Sequence, residues 1–501
     1  MKVLFINPSR AGQGNIPLNI SLLIAILKKY KHEIHLFDMS DYAEFDETQS
    51  YEKMFFKEAE FNIGEVLKDR KNFYKKNSDF LLNGLELKQS DYSNDFEKIL
   101  IGFKPEIIAI SCLSVDYKFI SEFLEPFKKR YRIPVIFGGI HSVLMPEEVI
   151  SSPVCDIVCI GEGENCFPKA LKTIENKETL ESIKGIWFKK NGKIIKNPFV
   201  NLTDLTTLPF PDFEHFDPTH FYRPFDGKRY KMLNYELSRG CPFNCTYCVN
   251  GVLKEKYRGL GRYHRIKKIE QSINELTYLK QKYNFNFVRF WDEDFTSITG
   301  DYLEKYADLY KKEIALPFLI YARTDTVTAK KIEILKEMGC KTFAMGIESG
   351  NEFIRRMVMK RRISNRNIID KFHLVKSYGI RTSAYNMIGF PYETRETVFD
   401  TINLNKKVNA NSFSVTLLEP YKGTPIRKMC ENQGLDVQQE TAYNRPQFIP
   451  KDMTKEELQG LFRTFPFYIR FPKERYNEIK EAETDERIYR KLREEFSKRY
   501  K

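Results

Sequence analysis

Arg239-Gly-Cys-Pro-Phe-Asn-Cys-Thr-Tyr-Cys248 is the stretch from which the rest of the chain can be read. Cys241, Cys245 and Cys248 form a C-x3-C-x2-C triad directly after an apolar run. Three thiolates hold only three irons of a cubane [4Fe–4S] cluster, which leaves the fourth iron to another ligand. A fully ligated electron-transfer cluster needs a fourth cysteine nearby. Zinc is the other chemistry on offer, but no fourth Cys or His follows at finger spacing, and His264 is the nearest candidate.

On the C-terminal side, residues 231–425 alternate apolar strands with amphipathic helices. The candidate strands are MLNYELSRG, FNFVRFWDED, FLIYART, CKTFAMGIESG, IRTSAYNMIGF and SFSVTLLEPY. Six βα units fit a partial (β/α)6 barrel, although periodicity alone allows a full one. Polar motifs fall at the strand ends, where barrel enzymes place ligand-binding groups. FWDED (290–294) brings Asp292 and Asp294, carboxylates suited either to an ammonium group or to capping the next helix. Arg323, in YARTD, offers a planar fork for a carboxylate, with a plain ion pair as the bland alternative. GIESG (346–350) combines Gly346, which lets a ligand approach the backbone, with Glu348, an acceptor for hydroxyls. MIGFP (387–391) supplies an apolar wall, and PYKGTP with Tyr421 closes the last strand.

On the N-terminal side, residues 1–175 also alternate: KVLFINPS, ISLLIAILKKY, EIHLFDMS, EIIAISCLS, a helix near 117–131, PVIFGGIHS, a helix near 146–151, DIVCIGEGE and a helix over about 165–175. Fully apolar strands between helices predict a doubly wound parallel sheet, of flavodoxin-like type, with ligands at its C-terminal edge. Gly138, Gly139, Gly161 and Glu162 sit at those strand ends. Residues 41–100 read as a charged insertion with helices, and 176–230 as a linker with a hairpin turning at Asn191-Gly192. Beyond 426 the chain is a charged helical extension, expected to be a solvated amphipathic helix. Cys155, Cys159 and Cys166 invite a second cluster, but their strand setting favours ordinary core packing.

The triad, with aromatic Tyr247 just before its last cysteine, resembles the signature of the radical S-adenosylmethionine (radical SAM) superfamily. That resemblance implies that SAM chelates the open iron and is reductively cleaved to a 5′-deoxyadenosyl radical. It further implies that Asp292 or Asp294 takes the SAM amino group, where many members carry Gly-Gly-Glu, that Arg323 faces the carboxylate, and that Gly346 and Glu348 serve the ribose. The segment 138–164 looks like the cobalamin-binding domain preceding the barrel in cobalamin-dependent radical SAM proteins. Gly138, Gly139, Gly161 and Glu162 would then adjoin the corrin nucleotide tail. The loop NPSRAGQGNIPLN lacks the D-x-H-x-x-G of proteins that supply a histidine to cobalt, so a base-off cobalt without that ligand is implied. A domain that has lost cobalamin and serves as scaffold is the alternative.

The expected function is a cobalamin-dependent radical SAM methyltransferase acting on an unactivated carbon of a small-molecule substrate. An electron donor such as flavodoxin or ferredoxin is implied as partner. The runner-up is radical cyclisation or rearrangement without methyl transfer. A methylthiotransferase fits less well, since the N-terminal region lacks three clustered cysteines for a second cluster. The net charge of +13 raises a different class, a metal-stabilised nucleic-acid-binding protein, yet charge speaks to association and not to site chemistry. Nine cysteines in 501 residues make no disulfide framework, and neither a signal peptide nor a membrane span is visible. A cytoplasmic location is expected.

Overall fold

Val3, Leu4, Phe5 and Ile6 are all buried in the first strand, β1 (Lys2–Asn7), which has no polar face to turn to water. Such a strand belongs inside a sheet covered on both sides, and the computed structural model places it there. The structure describes residues 1–9, 16–42, 88, 90–226, 228–438 and 446–499. These divide into two compact units: Met1–Tyr235 with Leu253–Val288, and Glu236–Val252 with Arg289–Lys501.

In the first unit β1, β2 (Glu33–Asp38), β3 (Ile107–Ser111), β4 (Val135–Gly138) and β5 (Ile157–Cys159) run parallel in the order β2-β1-β3-β4-β5. Ile6 lies opposite both Phe37 and Ile110. The strand order reverses at β1/β3, the arrangement of a flavodoxin-like doubly wound fold. β6 (Ile186–Lys190) and β7 (Lys193–Lys196) extend the sheet antiparallel, turning at Asn191 (φ +49°) and Gly192 (φ +73°). Positive φ at both turn residues is what a type I′ hairpin requires. Trp187 on β6 is buried and donates its Nε1–H to Asn197 O at 2.9 Å. The core beneath β1–β3 is aromatic, with Phe96 packed 5.0 Å from both Phe37 and Phe123.

Cys155 is buried in this core, Cys159 and Cys166 are buried against each other with their sulfurs 2.7 Å apart, and burial pushes the Cys155 thiol up to about 12. They behave as packed thiols. Of the insertion expected over 41–100, residues 43–87 and 89 lie outside the described residues; the helix Tyr92–Phe103 is capped by Asp91, which accepts from the N–H of Ser93 and Asn94. The linker expected over 176–230 ends in a further hairpin, β8 (Tyr222–Phe225) with β9 (Lys228–Tyr235). Aromatic packing explains it: Phe225 and Tyr230 both lie 4.9 Å from Phe287, and Arg229 covers Tyr222 at 4.4 Å. Two short strands follow, β10 (Ser238–Arg239) and β11 (Arg265–Ile266).

In the second unit β12 (Phe287–Phe290), whose last two residues belong to the unit, stands in chain order with β13 (Phe318–Arg323), β14 (Cys340–Glu348), β15 (Arg381–Ile388) and β16 (Ser412–Leu417). The pairs from β13 to β16 are parallel, and helices Ala329–Met338, Asn365–Ser377 and Arg395–Val408 connect them. This is the partial barrel. Burial alternates strictly along β13 and β15, so Tyr321, Arg323, Tyr385 and Met387 share the half-buried face while Ile320 and Ala384 are fully covered. Helix starts follow their sequence signals. Thr328 caps Lys331 N, and Thr394 with Thr397 forms a reciprocal capping box.

The C-terminal extension differs from the single solvated helix expected. It folds as Lys455–Arg470, Tyr476–Ala482 and Glu486–Arg499, and packs Phe465, Phe467, Tyr468 and Phe471 against Val398, Ile402 and Leu417. Its many charges hid the aromatic stripe, and several of them are paired inward: Glu483 accepts from Arg395 at 2.6 Å and from the Tyr468 hydroxyl at 2.6 Å. Among the described residues no helix is long and apolar enough to cross a membrane.

Candidate functional site

The cysteine loop is tied to the barrel from its middle. Thr246 donates its N–H to Met359 O at 3.2 Å and its hydroxyl to Val358 O at 2.6 Å, while its own carbonyl accepts from Ile426 N. Gly240, at φ +84°, turns the chain out of β10 into the loop, a conformation that costs other residues. Cys241 is buried and Cys245 and Cys248 partly so. Burial pushes the Cys241 thiol up to about 12 and raises Cys248, whose sulfur accepts from Asn250 Nδ2 at 3.4 Å. The positive charge of bound iron is what converts such raised thiols to ligands.

The donor set fits a cluster and fits a lone zinc poorly. Zinc bonds of about 2.3 Å draw four ligands into one tight tetrahedron. Among the described residues the grouping close enough for a single ion is Asp38, Asp41 and His220, not the three sulfurs. His264 belongs to the first unit, where burial lowers its pKa and its neighbours are Arg262 and Lys254. Arg323 Nη1 donates to Cys245 Sγ at 3.2 Å, and its guanidinium stacks 3.8 Å over the Phe243 ring. Asp325 holds the fork from the other side at 2.9 and 2.7 Å. A cation therefore stands beside the sulfurs, fixed on three sides.

The two aspartates of FWDED do different things. Asp292 Oδ1 accepts from Ser238 N and Oγ, both at 2.5 Å, and Oδ2 from Leu237 N at 3.3 Å. Burial raises it to about 7, and its oxygens are spent on the chain before the triad. Asp294 Oδ1 accepts from Thr296, Thr326 and the N–H of Arg323, but its Oδ2 is buried with no hydrogen-bond partner. Burial raises the Asp294 pKa as well. An orphaned, buried carboxylate oxygen beside the cluster loop is the complement of a cationic ligand group.

Glu348 ends β14 in the left-handed region at φ +64° and pairs with Arg361 at 2.8 Å. Arg361 also donates to the Tyr247 hydroxyl at 3.1 Å and to Gly346 O at 3.0 Å. A Cβ on Gly346 would overlap Glu348 Oε1, so this glycine makes room for the folded-back glutamate. Tyr247 meets Phe390 of MIGFP edge to face at 6.2 Å. Behind that wall Glu393 is fully buried and accepts from the N–H groups of Gly389 (2.5 Å) and Phe390 (3.0 Å).

Burial lifts Glu393 to about 8, well above an unfolded glutamate. The folded state thus holds a proton that the unfolded chain releases, so stability falls as pH rises from about 4.5 to about 8. Glu393→Gln is expected to flatten that decline, checked by melting temperature at pH 6 and pH 8.5. Identical pH slopes for the two proteins would remove this role.

In the first unit the predicted glycines are packed against the chain itself. A Cβ on Gly139 (φ +87°) would stand 2.7 Å from Cys112 O, and one on Gly161 2.9 Å from Val200. Gly138 has ordinary room. Glu162 is bound by both Nη atoms of Arg265 and by Thr203 N at 2.6 Å. His141 bonds Ser114 at 3.0 Å and stacks on Tyr117. At the same strand ends, helices Leu18–Lys29 and Gly163–Glu175 begin without side-chain caps. Their first N–H groups suit a polar ligand tail at the switch-point crevice.

Sequence reasoning missed Phe243, Asn250 and Arg361. Phe243 and Asn250 stand in or next to the triad and were open to notice. Arg361 lies in the run Lys360-Arg-Arg, where nothing marks which cation turns inward.

Comparison with known proteins adds independent findings. Residues 235–404 match the Radical SAM superfamily model and residues 76–171 the B12 binding domain model. An uncharacterized methyltransferase of Pyrococcus horikoshii is 28% identical over 387 residues, 75% of this chain and 82% of that protein. The cytidylyl-2-hydroxyethylphosphonate methyltransferase of Streptomyces wedmorensis is 22% identical over 88% of this chain and 84% of its own. An anaerobic magnesium-protoporphyrin IX monomethyl ester cyclase of Rubrivivax gelatinosus is 24% identical over 76% and 68%. Among solved structures, the methyltransferase TsrM of Kitasatospora setae with cobalamin and [4Fe-4S] cluster bound superposes with TM-score 0.60 at 14% identity, over 90% of this chain and 83% of that one. The cobalamin-dependent enzyme OxsB does so at 0.63 and 14%, over 95% and 70%. These two establish a shared fold.

Proposed function

We propose that this chain, which belongs to the radical SAM superfamily and carries a B12-binding domain ahead of its partial barrel, methylates an unactivated carbon of a small molecule. The observation that carries the SAM site is the buried, unpartnered Asp294 oxygen on the same unit as the cysteine triad and Arg323. When bound, the cluster with SAM supplies hydrogen-abstracting power and cobalamin supplies a transferable methyl group.

The chain's own residues bind and orient. Cys241, Cys245 and Cys248 hold the cluster, and Asn250 and Arg323 donate to two of the sulfurs. Asp294 Oδ2 accepts from the SAM ammonium, and the pinned Arg323 fork faces its carboxylate. Asp292 fixes the turn into the triad by gathering three donors. The Glu348–Arg361–Tyr247 group closes one side of the site to water, with Gly346 giving Glu348 its place; Glu348 offers its second oxygen to the ribose. Gly138, Gly139, Gly161 and Glu162 shape the strand-end crevice of the first unit for cobalamin. Flavodoxin or ferredoxin serves as electron donor, and the location is cytoplasmic.

The test is the oxygen-free holoenzyme incubated with SAM and reductant, followed by product analysis. Methyl transfer yields S-adenosylhomocysteine together with 5′-deoxyadenosine. Deoxyadenosine without S-adenosylhomocysteine would move the assignment to a non-methylating radical reaction, and neither product would end it. Asp294→Asn is expected to weaken SAM binding by roughly 10–100-fold, the worth of one charge-assisted hydrogen bond, at unchanged iron content. Asp292→Asn should instead lower stability, since three donors lose a charged acceptor. Equal effects of the two on SAM affinity would refute this division.

A further inference from the structure

Arg289, Trp291, Tyr321 and Tyr385 make a cationic aromatic cluster inside the second unit to which the methyl-transfer scheme gives no part. Arg289 Nε donates to the Tyr321 hydroxyl at 2.7 Å, and Nη2 donates to the same oxygen. The guanidinium lies 4.1 Å over the Trp291 ring and 5.4 Å over that of Tyr321. Tyr321 lies 6.1 Å from Trp291 and 6.0 Å from Tyr385, ring to ring. Tyr321 and Tyr385 stand on the half-buried face of β13 and β15, and Tyr321 is two residues before Arg323 on that face. At about 3.3 Å per residue, the cluster sits one layer, roughly 7 Å, below Arg323 along the strand.

Two features of this layer have no structural use. First, Arg289 differs from the other inward arginines of the unit. Arg323 has Asp325, Arg361 has Glu348 and Arg395 has Glu483. Among the described residues Arg289 has no carboxylate at ion-pair distance, only a neutral phenol and two ring faces. A half-buried, permanent cation without a counter-charge is poised for an anion. Second, Trp291 is 41% exposed although its neighbours Phe290 and Asp292 are fully covered. An indole face left open next to a positioned guanidinium is the usual furniture of a ligand pocket.

We propose that this layer anchors the substrate: Arg289 binds a carboxylate or phosphoryl group, and the flat part of the same molecule stacks against Trp291 and Tyr385. Tyr321 is the positioning residue, holding the guanidinium edge-on so that its remaining N–H groups point to the anion. The inference rests on the reading that the barrel holds the substrate, and it narrows that substrate to flat, anionic molecules.

The experiment is oxygen-free calorimetric titration of the holoenzyme with phenylacetate, phenyl phosphate and the neutral isostere phenylacetamide. At least one anion is expected to bind tenfold or more tightly than phenylacetamide, and which one identifies the group. Arg289→Gln should abolish that preference and Arg289→Lys restore part of it. Iron content and SAM cleavage without substrate should stay as in the parent. A preference that survives Arg289→Gln, or no binding of any probe, would reduce Arg289 to a strut for Tyr321. Should SAM cleavage fail in the parent while the anion preference persists, the methyl-transfer scheme falls and this anchor stands.

Discussion

Cys245→Ala protein, reconstituted without oxygen with iron and sulfide, is expected to lose its cluster absorption and to cleave no SAM above the reagent blank. The same outcome is expected for Cys241 and Cys248, because in the proposed assignment these three sulfurs supply the protein's ligands to three irons. Cys245 makes the sharpest case. Its sulfur is the one that accepts from Arg323, so its loss removes an iron ligand and leaves that cation facing a gap. Folding should survive, since the loop is pinned through Thr246 and not through the sulfurs. The controls are Cys155→Ala and Cys430→Ala, buried thiols that should leave the iron content of the parent unchanged. Full iron and SAM turnover in Cys245→Ala would overturn the cluster assignment.

Arg361→Ala carries the largest expected cost in stability. Arg361 is buried and meets Glu348, the Tyr247 hydroxyl and Gly346 O at once. Removing it leaves the mostly buried Glu348 carboxylate without its cation, a loss of about 3–5 kcal/mol for a buried pair broken on one side. In a domain of this size that lowers the melting temperature by roughly 10 °C. Adding Glu348→Gln to Arg361→Ala should return a good part of the loss, because the stranded charge is gone. A melting temperature within 2 °C of the parent for the single variant, measured by calorimetry on the metal-free chain, would show that the pair is not held as described.

Much of this was legible in the chain, for identifiable reasons. β1 is a continuous apolar run, β13 and β15 alternate strictly, and the Asn-Gly turn of β6–β7 is written in two residues. The triad declares itself because its spacing is local. What stayed hidden depends on long-range pairing. Asp292 and Asp294 look equivalent in sequence, and only Leu237 and Ser238, from over fifty residues upstream, decide which keeps an oxygen free. Arg361 reaches Tyr247 across 114 positions. The C-terminal helices misled by composition, since their arginines and glutamates pair around a buried aromatic row.

The chain contains only two tryptophans, and the units hold one each. Trp187 is enclosed and hydrogen-bonded in the doubly wound sheet, whereas Trp291 looks into the barrel layer at 41% exposure. Freed of its light-absorbing cofactors, the chain therefore carries a native blue-emitting reporter in one half and a red-shifted one in the other. Urea melts followed at the two edges of the emission band can time the two halves separately, with no dye attached.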